Sequence, residues 1–374
     1  MARMNRRRFL ALTAAGALAG SRALQARTTL RLAAVGQALI LRDLATQYRP
    51  GFDQMRERLS RADVAFTNLE TAIRGVSARD AAPSGGGVHA DPVVLDSLRQ
   101  LSFRLLSLSN NHAGDLGEAG LLSTIEETTR RGFTVAGTGR TLAEAVKPGV
   151  LTLTKGTIAL VAMASSAIPP DRMATETRSG VNHVAQRNGV VDAADSARVL
   201  AAIRAAAAQA DWVVVYQHDH YWAPDWQQTP DWKKAWCRAC IDAGATMFVS
   251  HGVPILHGIE IYKRRPIFYG LGNFVFHVSI ELKGAVPALY TGAPCFQSVV
   301  ADCEFDGGAL TSLWLDPITL KSDTGVGEGG YTLHGNPHLA EGQEAREILE
   351  RLARLSKDVG TDIEIVGSRA RVRL

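Results

Sequence analysis

Four short stretches of this chain end an apolar, strand-like run on side chains able to hold a metal ion. Asp63-Val64-Ala65-Phe66-Thr67 leads into Asn68-Leu69-Glu70, and Phe103 to Leu108 into Ser109-Asn110-Asn111-His112. Further on, Trp212-Val213-Val214-Val215-Tyr216 leads into Gln217-His218-Asp219-His220, and Thr246-Met247-Phe248-Val249 into Ser250-His251. Open α/β sheets build their sites beyond the carboxyl ends of strands, so four such ends can converge on one rim. Alone, Asn110-Asn111-His112 reads equally well as a turn followed by a helix cap. Four ends of the same form make chance the weaker reading. Oxygen ligands suit hard divalent ions and imidazoles suit zinc, manganese and iron, which makes Glu70, Asn111, His112, His218 and His251 a mixed ligand shell. An ion held there would lower the pKa of its bound water and polarise a phosphoryl or carbonyl oxygen, with His112 or His218 as acid or base.

Each candidate has a plainer alternative. His218 and His220 alternate along a strand and so face the same way, with Asp219 opposite, provided the strand continues through all three. One of the two imidazoles can instead serve a backbone carbonyl. His257 reads as an ordinary surface side chain before the strand Gly258-Ile259-Glu260-Ile261-Tyr262, and Asn273 as either a turn residue or a site residue beyond an apolar strand. Asn68 and Asn110 stand beside the principal candidates as secondary ones. His89, after Gly85-Gly86-Gly87, sits on a loop read as plain surface.

These residues resemble the capsule-synthesis proteins of the CapA type, a family implicated in making poly-γ-glutamate and built on the calcineurin-like metallophosphoesterase fold. The resemblance runs from about Leu30 to about Phe276. It is carried by Asn68-Leu69-Glu70-Thr71, by Ser109 to His112 with Gly117 and Gly120, and by Gly137-Thr138-Gly139 with Ala145 and Pro148. Later matches are His218, Ile241-Asp242-Ala243-Gly244-Ala245 and Tyr269-Gly270-Leu271-Gly272-Asn273-Phe274. The departures lie at the ligands. Gly36-Gln37 stands where the family usually has Gly-Asp, and Ser250-His251-Gly252-Val253-Pro254 where it commonly has Gly-His-His-Pro-His. Asp219 and His220 replace Trp and Gly, and Trp222 replaces Glu. Carboxylate charge is a large part of hard-ion affinity, so these losses imply one firmly held divalent ion (Mn, Zn or Fe), with Asp219, His220 or His257 as replacement ligands and Gln37 at the edge.

The amino terminus reads as an export signal. Asn5-Arg6-Arg7-Arg8-Phe9-Leu10 precedes an Ala, Leu and Gly run to Gly20, too short to span a membrane comfortably, and cleavage after Ala26 is expected. This is the form of a twin-arginine signal and implies a periplasmic or extracellular protein. The formal charge is +4, and residues 1–26 hold five Arg and no acid, so the remainder carries −1. No dense Lys/Arg cluster interleaved with aromatics occurs there, which argues against nucleic acid as a partner.

Composition and element order predict one large α/β domain, a metallophosphoesterase-like two-sheet β-sandwich flanked by helices, over residues 27–320, with 321–374 as an extension packed on it. Helices are expected over Glu118 to Arg131, Ala193 to Ala210, Asp231 to Ala243 and Ala340 to Leu355. Gly258 through Phe305 reads as consecutive antiparallel strands, and Asp362 to Leu374 as two strands around Gly367. Cys237 and Cys240 share a helix face; with Cys295 and Cys303 they are expected to be buried free thiols, a bridge between the pairs or a structural zinc being the alternatives.

Three functions stay open. The resemblance implies an exported participant in synthesis, release or attachment of an anionic capsular polymer, beside membrane-bound polymer-synthesis subunits. The ligand set implies a metal-dependent hydrolase acting on a phosphoester or amide. The missing carboxylate and imidazoles allow a non-catalytic binding or assembly subunit.

Overall fold

A computed structural model describes residues 28–47, 49–84, 87–221, 225–277, 292–320 and 335–374. The expected export signal, most of the glycine loop and Trp222 lie outside these residues. Among the described residues, no helix is long and apolar enough to cross a membrane.

Two sheets face each other. In chain order the strands are β1 (Thr29–Ala34), β2 (Gln37–Leu39), β3 (Val64–Asn68), β4 (Phe103–Ser107), β5 (Thr134–Ala136), β6 (Gly149–Leu153), β7 (Gly156–Ser165), β8 (Trp212–Asp219) and β9 (Met247–Gly252). They continue with β10 (Ile259–Tyr262), β11 (Arg265–Phe268), β12 (Asn273–Phe276), β13 (Gln297–Asp306), β14 (Ala309–Thr319), β15 (Ile363–Val366) and β16 (Arg369–Val372). The first sheet runs β15-β16-β14-β13-β1-β3-β4-β5 and the second β10-β11-β9-β8-β7-β6. Within the first, β1, β3, β4 and β5 are parallel while β13 to β16 are antiparallel additions. The second sheet is parallel from β7 through β8 and β9 to β11.

Alternation along the strands sorts side chains into layers. Trp212, Val214 and Tyr216 of β8 point into the core between the sheets, where they meet Leu32, Val64 and Phe66. Val213 and Val215 point outward, against Val199 and Ile203 of α4 (Ala193–Ala207) and Trp236 and Ile241 of α5 (Asp231–Asp242). On the other side, Ala33, Ala65 and Phe103 pack on Phe52 and Met55 of α1 (Arg49–Leu59) and on Val94 and Leu98 of α2 (Val93–Gln100). α3 (Gly117–Arg130) lies along this same side, and α6 (Gly342–Lys357) places Ile348 and Leu352 in the inter-sheet core.

The four thiols are free and buried. They sit in three different apolar clusters, Cys237 and Cys240 on the buried face of α5, Cys295 near Phe276 and Cys303 between the sheets, which leaves no set of four to share a zinc.

One polar group sits deep beneath β8. Lys233 on α5 is 0% exposed, its Nζ 3.3 Å from Asp219 Oδ2 and 4.7 Å from the centre of the Tyr221 ring. Removing one member of a buried ion pair strands the other, so Lys233→Ala is expected to lower stability by about 3–5 kcal/mol. Chemical denaturation measures this, and a loss below about 1 kcal/mol would mean that Asp219 does not depend on the lysine.

Candidate metal centre at the strand ends

The two sheets bring their strand ends together through one aromatic contact. Phe66 of β3 and Tyr216 of β8 touch across the core with ring centres 5.6 Å apart. Glu70 lies four residues beyond Phe66 and His218 two beyond Tyr216, so the contact sets both in one place. His218 Nε2 is 3.5 Å from Glu70 Oε1, and its Nδ1 lies 3.2 Å from the Tyr216 hydroxyl. His220 joins them: ligand atoms of Glu70, His218 and His220 all lie within 4.8 Å of one another. β8 ends at Asp219, yet the His220 ring still reaches the same side, 4.9 Å from His218, because Ser166 clamps the turn. The Ser166 hydroxyl accepts from the His220 backbone N–H at 2.8 Å and donates to Asp219 Oδ1 at 3.0 Å.

His251, at the matching position of β9 opposite His218, packs its ring 5.4 Å from Tyr216. Neither of its ring nitrogens makes a well-formed hydrogen bond, although the Val35 carbonyl lies close enough to favour the charged ring slightly. Glu70 Oε2 and Asn111 Oδ1 are likewise buried without hydrogen bonds, and His218 Nε2 has none beyond its 3.5 Å approach to Glu70 Oε1. Buried polar atoms are normally satisfied. The convergent carboxylate and imidazole atoms of Glu70, His218 and His220 therefore fit a divalent cation, whose donor preferences they match.

Other candidates are occupied elsewhere. Gln37 Nε2 donates to Asn273 Oδ1 at 3.0 Å, its Oε1 accepts from the Gly252 N–H at 3.3 Å, and Asn273 Nδ2 donates to the Cys295 carbonyl at 2.8 Å. Both amides thus fasten β2, β12 and the end of β9 together, each oxygen already accepting one hydrogen bond. Gly252 is part of this fastening, with φ +120° and no room for a Cβ, which would stand 2.1 Å from the Asp219 carbonyl oxygen. Asn110 donates to Asn68 Oδ1 at 3.2 Å and to the Leu69 carbonyl at 2.8 Å, and accepts from the His112 N–H, so it shapes the loop. His257 is buried, not a surface side chain; its Nε2 meets the Trp226 carbonyl at 2.8 Å, away from the cluster. Asp219 faces Lys233, which removes it as a replacement ligand.

His112 is arranged differently from the other imidazoles. Its Nδ1 is 2.8 Å from Asp115 Oδ2, and that carboxylate also accepts from the Val88 N–H at 2.9 Å and from Arg172 Nη1 at 2.9 Å. Arg172 Nη2 in turn reaches Ser84 Oγ at 3.0 Å. Asp115 fixes Nδ1 as the donor, which leaves Nε2 as the nitrogen that takes or gives a proton. Asp115, Arg172, Tyr216 and Lys233 were not legible as site residues in the sequence. Only the Asn-His-x-x-Asp spacing, which puts Asp115 one turn from His112, carried a signal.

Charge follows burial. Burial pushes the Glu70 carboxyl up to about 7, against the nearby His112 charge that favours ionisation. Burial and the neighbouring imidazoles hold His218 well below the usual imidazole range, burial brings His220 to about 4, and burial with the Lys233 charge brings His251 to about 3. For His112 burial also works downward, yet the hydrogen bond it donates to Asp115 with the charges of Glu70 and Asp115 outweighs it and raises the pKa. The lining thus separates into neutral imidazoles suited to ligation and one imidazole suited to carrying a proton.

The fold and site define a four-layer α/β protein with a buried carboxylate and imidazole cluster at strand ends drawn from both sheets. Residues 14–278 match the family described as bacterial capsule synthesis protein PGA_cap, and the chain belongs to that family. It is 33% identical to the PGA biosynthesis protein CapA of Bacillus subtilis over 48% of this chain and 44% of that protein. With the capsule biosynthesis protein CapA of Bacillus anthracis it shares 26% identity over 60% of this chain and 53% of that one, so these alignments span about half of each Bacillus protein. The protein y4sH of Sinorhizobium fredii is 28% identical over 96% of both chains. A phosphatase from Mycoplasma pneumoniae is similar in structure with a TM-score of 0.46 and 10% identity, over 78% of this chain and 94% of that one, a likeness too remote to argue from.

Proposed function

We propose that this chain is an exported hydrolase of a capsular, polyglutamate-type anionic polymer, cutting an amide bond in its release or attachment. Glu70, His218 and His220 would hold one divalent ion, with His251 and Asn111 beside it. The observation that carries this reading is the convergence of these three ligand-competent side chains within 4.8 Å. When bound, the ion would supply Lewis acidity at the carbonyl and a more acidic water. His112 moves the proton: Asp115 orients it and Nε2 accepts or returns a proton as the scissile bond breaks. The arginine-rich head at Arg6 to Arg8 supports delivery outside the cytoplasm. The test is to load the exported protein with manganese, zinc or iron and follow new amino termini in γ-linked glutamate oligomers. Cleavage lost in His218→Ala supports the reading; equal cleavage by that variant overturns it.

Affinity for the ion should depend on pH through the carboxylate. His220 and His251 are already neutral above pH 5, whereas Glu70, near 7, keeps its proton and must lose it to ligate. Metal affinity is therefore expected to climb up to about tenfold per unit from pH 5 to 7 and level off above. In the metal-free protein the same raised pKa works the other way: the unfolded carboxyl ionises first, so Glu70's contribution to stability falls as pH rises from 4.5 toward 7. Calorimetric titration in wild type and Glu70→Gln checks it; an equally steep profile in the variant would assign the proton elsewhere.

A further inference from the structure

Beyond the cluster, the segment that carries Glu70 continues across α3 and forms one wall of a groove of about 330 Å³. Arg74, Arg79, Arg130 and Arg131 line it, with the carboxylates of Asp91 and Glu127. Glu127 is buried and paired to both Arg130 and Arg131. Arg131 also reaches Asp96 at 2.8 Å, which leaves Arg130 with only a shared partner. The guanidinium groups of Arg74 and Arg79 have no hydrogen bond or ion pair among the described residues, and Arg74 Nε is buried without an acceptor. Four cations stand against the carboxylates of Asp91 and Glu127 in the lining and of Asp96 behind Arg131, which leaves one excess positive charge, on the side of Arg74 and Arg79.

The groove is preformed. The Ile73 N–H donates to Thr124 Oγ1 at 2.8 Å, the Gly75 N–H to Ser123 Oγ at 2.9 Å, and Ser77 Oγ to Glu126 at 2.9 Å, pinning the segment along α3. Gly75 permits the close approach, since a Cβ there would stand 2.6 Å from Glu127. Buried N–H groups without acceptors are costly, so the arrangement favours acceptors supplied from outside. Guanidinium groups match carboxylates two bonds at a time, and several of them lining one groove can take carboxylates in succession. No aromatic side chain lines it for base stacking, which argues against a nucleic-acid strand. Val76, 77% exposed in the lining, offers contact to methylene groups between the charges.

We propose that this groove docks a run of carboxylates on a polyglutamate-type chain, separately from the metal cluster and on the same segment as Glu70. The inference rests on the polymer assignment above but not on hydrolysis. The test is fluorescence anisotropy of a labelled γ-linked glutamate oligomer with the full chain over a series of salt concentrations. Arg74→Gln with Arg79→Gln is expected to weaken binding at least tenfold and flatten the salt dependence, while metal content stays at the wild-type level. The exposed single change Arg79→Glu should weaken binding in the same direction without disturbing the pinned segment. Unchanged affinity and salt dependence in these variants overturns the proposal, as does preferential capture of inorganic polyphosphate of equal charge. Oligomer binding that survives in His218→Ala supports the groove even if no cleavage is found, whereas binding abolished by His218→Ala places the polymer at the cluster and overturns it.

Discussion

Replacing His218 by Ala is expected to lower affinity for manganese, zinc or iron by at least about a hundredfold, since it removes the central donor from a small ligand set. Glu70→Gln should have an effect of similar size by removing the only carboxylate of the cluster. Gln37→Asp, by contrast, should not create a second site. The side chain at that position is committed to Asn273 and Gly252, and a carboxylate there would meet the Asn273 oxygen without a proton to share. Elemental analysis of the purified variants reads all three. Wild-type metal content in His218→Ala, or a second ion gained by Gln37→Asp, would show that the ligands lie elsewhere.

Asp115→Asn should separate proton transfer from metal binding. The substitution removes the charge that raises the His112 pKa and leaves at most a weaker, neutral acceptor for Nδ1, while the burial that lowers it stays, so the ring should titrate below its wild-type value. Cleavage of glutamate oligomers is expected to fall on the order of 10²-fold, and metal content to hold. NMR titration of His112 supplies the readout that a structural role alone would not move. An unshifted titration with unchanged turnover would remove Asp115 and His112 from the proton path.

The elements that hold the site were legible because each strand ended on an unmistakable polar residue. Helices could be bounded from caps and stops, with α3 starting at Gly117 and α5 ending at Asp242, each within one residue of expectation. β7 was passed over: Ile158 to Ala164 is apolar on both faces, so it shows no alternation, and it ends at Ser165 with no ligand to draw notice. The strand is nevertheless a neighbour of β8 and holds Gln217 through Ser165 at 2.7 Å. Among the candidate ligands, Glu70 and His218 stood out, whereas His220 ranked below His251. Its orientation depends on the Ser166 turn, where φ is +50° in a residue type that gives no such warning. Gln37 and Asn273 could not be separated from ligands in sequence because an amide that ties backbone together and an amide that binds an ion are the same residue.

The neighbours of β1 bear on how the chain is made. Thr29 pairs with Asp306 and Ala34 with Ala301, so the first strand lies against a strand that follows it by more than two hundred and fifty residues. Until that partner has been synthesised, β1 can pair only with β3, and its other edge is an open template for wrong strands. Loop closure over such a span is slow, and the late-arriving α6 must still fill the gap between the sheets with Ile348 and Leu352. A ribosome that stalls before residue 297 thus releases an aggregation-prone half-sandwich, not a smaller working protein. Residues past the end of the family match at 278 are for this reason a condition of the fold itself: a fragment cut there retains Glu70, His218 and His220 in its sequence while losing the strand that shields the β1 edge of the first sheet, from which Glu70 follows.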